Sequence, residues 1–162
     1  MVKIETLIEE GKILRIKELE LSRYIHFFEN SYKDNLEHSK AVIDEFPRWS
    51  IISGYYSMHD ITKLLLAKEF GLKIELEVHA TTIKAVDNLI KSREIKRLFR
   101  DGYKIFISLA NDLAEGKKER VKAQYFTGTE FMKERYRKKA REFHDNVVIP
   151  YLKKIKSLIK EK

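Results

Sequence analysis

Cysteine is absent from the 162-residue chain, which excludes disulfides, thiolate chemistry and cysteine-built zinc sites. Proline occurs twice and glycine six times, too few for a turn-rich all-β fold or an unstructured chain. No apolar run approaches the ~20 residues that a membrane-crossing helix needs. The longest runs, such as Leu64-Leu65-Leu66-Ala67, break after a few positions. The opening Met1-Val2-Lys3-Ile4-Glu5 turns acidic early and lacks the apolar stretch of a secretory signal. The expected address is therefore cytoplasmic, with no membrane partner. Glycine-rich phosphate loops and the nucleophile elbow of hydrolases are also missing. The histidines are His26, His38, His59, His79 and His144. His38 with Asp34 or Glu37 could meet a metal on a helix face, but one His and one carboxylate fall short of the three or four ligands needed, so neither a metal nor another cofactor is expected.

What the chain has in excess is charge. Lys, Arg, Asp and Glu make up 36% of it, giving a formal net charge of +8. With no cysteine, this Lys/Glu-rich balance resembles that of thermophile proteins. The positive charge is unevenly placed. Residues 117–162 hold 15 Lys/Arg and 6 Asp/Glu, a net +9, against −1 for residues 1–116. Such a field attracts phosphates or an acidic partner, and equally describes a solvated helix face.

Hydrophobic periodicity is helical nearly throughout, which predicts a single all-α domain over residues 1–162. Ile4, Leu7, Ile8, Gly11 and Leu14 mark an amphipathic first helix within residues 1–17. Leu21, Ile25, Phe28, Tyr32, Leu36 and Ile43 form a longer stripe that Pro47 stops. From Arg48 to Ala67 the pattern is apolar on most of the circumference, as for a helix at the centre of a bundle, and Gly71 suits its C-terminal end. Residues 72–78 alternate with period two and read as an extended connection without a strand partner. Helices are expected over 79–90 and 93–115, the latter interrupted at Asp101-Gly102 and ended by Gly116. A short one follows over 120–126. After a break at Thr127-Gly128-Thr129, a last helix runs to about residue 160, kinked at Pro150. It should turn Phe131, Tyr136, Ala140, Phe143, Val147, Tyr151, Ile155 and Leu158 inward.

Within that pattern, Ser53-Gly54-Tyr55-Tyr56-Ser57-Met58 followed by Leu64-Leu65-Leu66 resembles the tyrosine-pair helix of the HEPN family. His79, the Arg120-Val121-Lys122-Ala123-Gln124-Tyr125 segment and Ala140-Arg141-Glu142-Phe143 agree with that family in order and spacing. The resemblance spans about residues 20–158 and points to the prokaryotic and archaeal, nucleotidyltransferase-associated type. It implies an up-and-down bundle of four or five helices, here with an added N-terminal helix. It also implies a homodimer, or pairing with a small nucleotidyltransferase in a toxin–antitoxin system, with nucleotide or RNA as further partners. Some members of that family cut RNA without a metal, using an Arg followed after four to six residues by a His. Arg120 stands at the matching position, yet Val121 to Thr127 contain no His. The expected role is therefore a binding module rather than an enzyme.

The alternatives are a ribonuclease working through Arg120, Arg137 and His144, and a helical scaffold with no nucleic-acid role. Arg137 and His144 satisfy the literal spacing, but seven helical residues separate them by about 10 Å along the axis. Candidates for nucleotide or RNA contact are Arg120, Lys122, Tyr125, Arg135, Arg137, Lys138 and Arg141, a basic run with an adjacent aromatic. Tyr55, Tyr56, His59 and His79 are candidates for a ligand pocket or dimer surface. The plainer assignment for them is packing, with polar tips satisfied locally.

Overall fold

The structure is a computed structural model that describes residues 3–122 and 128–160, without the side chains of 110, 112–122 and 128–132. It is an all-α bundle with one two-stranded sheet. The elements are α1 (Ile4–Glu9), β1 (Ile13–Arg15), α2 (Glu18–Ala41), α3 (Pro47–Phe70), β2 (Leu72–Ile74), α4 (Val78–Leu89), α5 (Arg93–Lys122), α6 (Gly128–Phe143), a π-helical turn (His144–Val148) and α7 (Ile149–Leu158).

Helix α3 is the axis of the bundle. Pro47 sits in its first turn, where a missing N–H costs nothing. Gly71 closes it in the left-handed region at φ 63°, its N–H bonded to the Ala67 carbonyl. Between these ends Ile51, Tyr55, Met58, Ile61, Leu64 and Leu65 are buried. Helix α2 runs antiparallel to it, as cross-links between Ser39 and Ser50 at one end and Ser31 and Asp60 at the other require. The two helices approach closely because serines face each other. Ser39 Oγ donates to the Ser50 carbonyl at 2.8 Å, Ser50 Oγ returns a bond to the Ser39 carbonyl at 2.7 Å, and Ser57 Oγ donates to the Tyr32 carbonyl at 2.7 Å. At Gly54 a Cβ would lie 3.1 Å from Val148, 3.2 Å from Ser39 Oγ and 3.3 Å from Phe143. Three elements thus cross on the space that one missing side chain leaves.

Helix α5 is antiparallel to α3, its Phe99 beside His59 and its Phe106 beside Tyr55. Helices α6 and α7 run parallel to α3, with Tyr136 under Arg48 and Tyr151 beside Thr62. The up-and-down order anticipated for the bundle is therefore present.

Several local expectations are corrected. The first helix ends at Glu9. Gly11 takes φ 69°, and Ile13–Arg15 leaves helical geometry to pair antiparallel with Leu72–Ile74, in register Ile13↔Ile74. The alternating 72–78 segment thus has a strand partner, and it lies at the other end of the α2–α3 hairpin. The pair covers a second apolar cluster of Leu7, Ile13, Leu66, Leu72, Ile74 and Ala85. Helix α5 passes through both Asp101-Gly102 and Gly116 without a break, and the predicted short helix at 120–126 is, through Lys122, its last turn. At Gly102 the missing side chain makes room for the Met58 thioether, since a Cβ would meet Met58 Cε at 2.8 Å. Pro150 falls in the first turn of α7, directly after the π-helical turn His144–Val148. Leu158 is 40% exposed rather than inward, and Phe131 lies outside the described side chains.

Candidate functional site

The tyrosine pair and two of the histidines come together. Tyr55 is fully buried and stacks on Phe106, with ring centroids 4.4 Å apart. Its hydroxyl lies 2.9 Å from His79 Nδ1, at the first turn of α4. His59 sits one turn further along α3, its ring 5.2 Å from that of His79. Tyr103 and Phe99 complete the cluster. Residues three or four apart on α3 share a face, and α4 and α5 are laid against that face, so the sequence spacing translates directly into a cluster.

The hydrogen bonds fix the state of His59. Thr82 Oγ1 spends its only proton on the Val78 carbonyl, 2.7 Å away, so it accepts from the His59 Nε2–H at 3.2 Å. His59 Nδ1 is then a bare acceptor, buried without a partner. Burial, the nearby Lys63 ammonium and His79 push the His59 pKa down from its ordinary 6.5 to about 3. Burial also lowers His79 and raises the Tyr55 phenol. Burial thus favours the uncharged forms of His59, His79 and Tyr55 together, which makes the cluster an uncharged aromatic interior at neutral pH.

Beside it, on the α2 side of α3, a groove of about 610 Å³ opens to solvent. Asn35, His38, Val42 and Phe46 form one wall, and Trp49, Ile52, Ser53 and Tyr56 form the floor. Trp49 is 59% exposed and Phe46 60%. His38 Nδ1 and Ser53 Oγ are 2.6 Å apart, and Asn35 Nδ2 donates to the buried Asp60 carboxylate at 3.0 Å. Burial raises the Asp60 carboxyl pKa, against the bonds from Ser31 and Asn35 and the charge of Lys63. The exposure of Phe46 and Trp49 gave no signal in the sequence, since both fit the apolar pattern of the helix and its entry.

The basic residues singled out in the last third disperse. Arg137 Nε donates to the Asp44 carbonyl at 2.8 Å and its guanidinium pairs with Glu134 at 3.0 Å. Arg141 pairs with the Asp44 carboxylate and Lys133 with Glu45. Acidic residues at the α2–α3 connection, some 90 positions earlier, so neutralise part of the positive face. Arg135 and Lys138 point to solvent. His144 bonds Asp145 through Nδ1 at 2.9 Å, and its Nε2 is buried without a partner. Arg120 and Lys122 lie on α5 with side chains outside the described set, and Tyr125 is outside the described residues. A second basic stretch escaped the sequence reading because it sits in the nearly neutral part of the chain. Residues 91–104 hold six Lys/Arg against two Asp/Glu.

Among the described residues, no group of three or more His, Asp or Glu side chains stands close enough to hold a metal. None of the described helices is long and apolar enough to cross a membrane. Comparisons with family models, with curated proteins and with solved structures returned no match for the chain.

Proposed function

We propose that the chain is a HEPN-like helical binding module that works as one half of a protein pair. A second copy, or a small nucleotidyltransferase of the type that accompanies such modules, seats on the groove floored by α3. The observation carrying this proposal is the exposure of Phe46, Trp49 and Tyr56, with Ile52 half-buried beside them, in one groove along the entry to α3, a helix most of whose residues are buried. A helix apolar all round belongs in an interior, and contiguous exposed apolar surface rimmed by polar groups marks an interaction site. Light scattering over a concentration series tests the proposal on the wild type and on Trp49→Lys. A dimer that the substitution dissociates, with helicity unchanged, supports self-pairing. A monomer that joins a nucleotidyltransferase one-to-one, and only with Trp49 intact, supports the mixed pair. A wild type that stays monomeric and takes up neither partner refutes the proposal.

A second reading, a metal-independent ribonuclease, draws on one feature. The Asp145 carboxylate orients His144 and leaves Nε2 free of partners, the arrangement of a proton acceptor. Equal RNA cleavage by the wild type and His144→Ala would remove it.

A further inference from the structure

We propose that the N-terminal half of α5 is a track for the phosphates of a single-stranded nucleic acid. The inference does not depend on the pairing proposed above. Arg93, Arg97, Arg100 and Lys104 follow one another at intervals of three or four residues and are all exposed. On a helix this spacing places them in one stripe, spanning about 16 Å from Arg93 to Lys104 at 1.5 Å per residue. Arg93, Arg97 and Lys104 take part in no ion pair among the described residues. Arg100 is held at 2.6 Å by Asp87 through one guanidinium nitrogen and keeps its other donors. Lys96 flanks the stripe, its ammonium 2.7 Å from the Asp87 carbonyl. Of the two carboxylates on this stretch, Glu94 is paired with Lys154 of α7 at 2.8 Å and also feels the Arg97 charge, and the half-buried Asp101 beside Arg100 leaves the stripe with a net positive charge.

Two alternatives fit this face less well. An anionic membrane surface is bound by helices that also sink an apolar side into the lipid, and the apolar side of α5 is spent in the interior, with Ile95, Leu98, Phe99 and Leu109 buried. A compact acidic protein offers a patch. A regular row of cations about 6 Å apart matches instead a polymer with evenly repeated charge. Because the one aromatic ring bordering the stripe, that of Tyr103, is half-buried against Tyr55 and His79, the track reads charge and not base identity.

The test is fluorescence anisotropy with a labelled 20-nucleotide RNA of mixed sequence, titrated between about 50 and 200 mM salt. The wild type should bind with affinity that falls steeply with salt. Arg93→Gln/Arg97→Gln/Lys104→Gln should reduce the log–log salt slope by about 2, at roughly 0.7 per phosphate contact on a single strand. The charge-keeping Arg93→Lys/Arg97→Lys variant should hold the wild-type slope. Arg135→Gln/Lys138→Gln on α6 should leave it within error. Circular dichroism confirms that each variant is folded. Absence of wild-type RNA binding, an unchanged slope in the triple variant, or a loss confined to the α6 variant would each overturn the proposal.

Discussion

Acidification probes the buried imidazole of His59 directly. The unfolded chain binds a proton there with a pKa near 6.5, and the folded chain resists it down to about 3. A base whose folded pKa is depressed contributes its full share of stability above the unfolded value. That share is lost as pH falls through the window between the two values. At pH 4 the unfolded ring is protonated and the folded one is neutral across a gap of about 2.5 pH units, which at 1.36 kcal/mol per unit gives about 3 kcal/mol lost relative to pH 7. The neighbouring Asp60 carboxyl, raised by burial, acts in the opposite sense and regains stability on protonation. Total stability is therefore the wrong quantity to follow. The useful one is the difference between the wild type and His59→Gln, whose amide keeps a donor for Thr82 but does not titrate. Urea unfolding at pH 7, 6, 5 and 4 supplies both curves. The wild type should lose about 3 kcal/mol more than the variant over that range. Parallel curves would mean that the ring is solvated or already charged in the folded chain, and the account of the aromatic cluster as an uncharged interior would fail.

Two core substitutions test the packing. Gly54→Ala should destabilise by about 1–3 kcal/mol in chemical denaturation, since the new methyl meets Val148, Ser39 and Phe143 at once; a neutral result would show that the three-way crossing yields easily. Ile13→Ala should cost about 2–5 kcal/mol by the same assay, because Ile13 is fully buried in the small cluster under β1 and β2, and a loss under 1 kcal/mol would show that the strand pair is an ornament on the bundle.

Much of the fold was legible because helical periodicity is a local signal. The apolar circumference of α3, its stop at Gly71 and the shared face of Tyr55 and His59 follow from spacing alone, whereas His79 reaches them from α4. What escaped depended on distant partners. Leu72–Ile74 alternates like a strand, but its mate is the 13–15 segment, where Ile13 and Leu14 continue a helical stripe. Gly102 looked like a breaker, yet it serves the Met58 side chain of another helix. The basic cluster of α6 looked like an open field because Asp44 and Glu45, which partly cancel it, lie at the far side of the sequence. Local net charge hid the α5 stripe in the opposite way, diluted by acidic helices elsewhere.

The strand pair has a consequence for recognition. At one end α2 and α3 are joined by the short connection through Asp44 and Phe46; at the other, Ile16 N–H is bonded to the Gly71 carbonyl at 2.8 Å, just beyond the β1–β2 ladder. The hairpin is therefore fastened at both ends, like a buckled strap, which restrains α2 against α3. A partner of the kind proposed for the Trp49 groove would meet a wall already held in place, so little ordering entropy on this side would oppose its arrival.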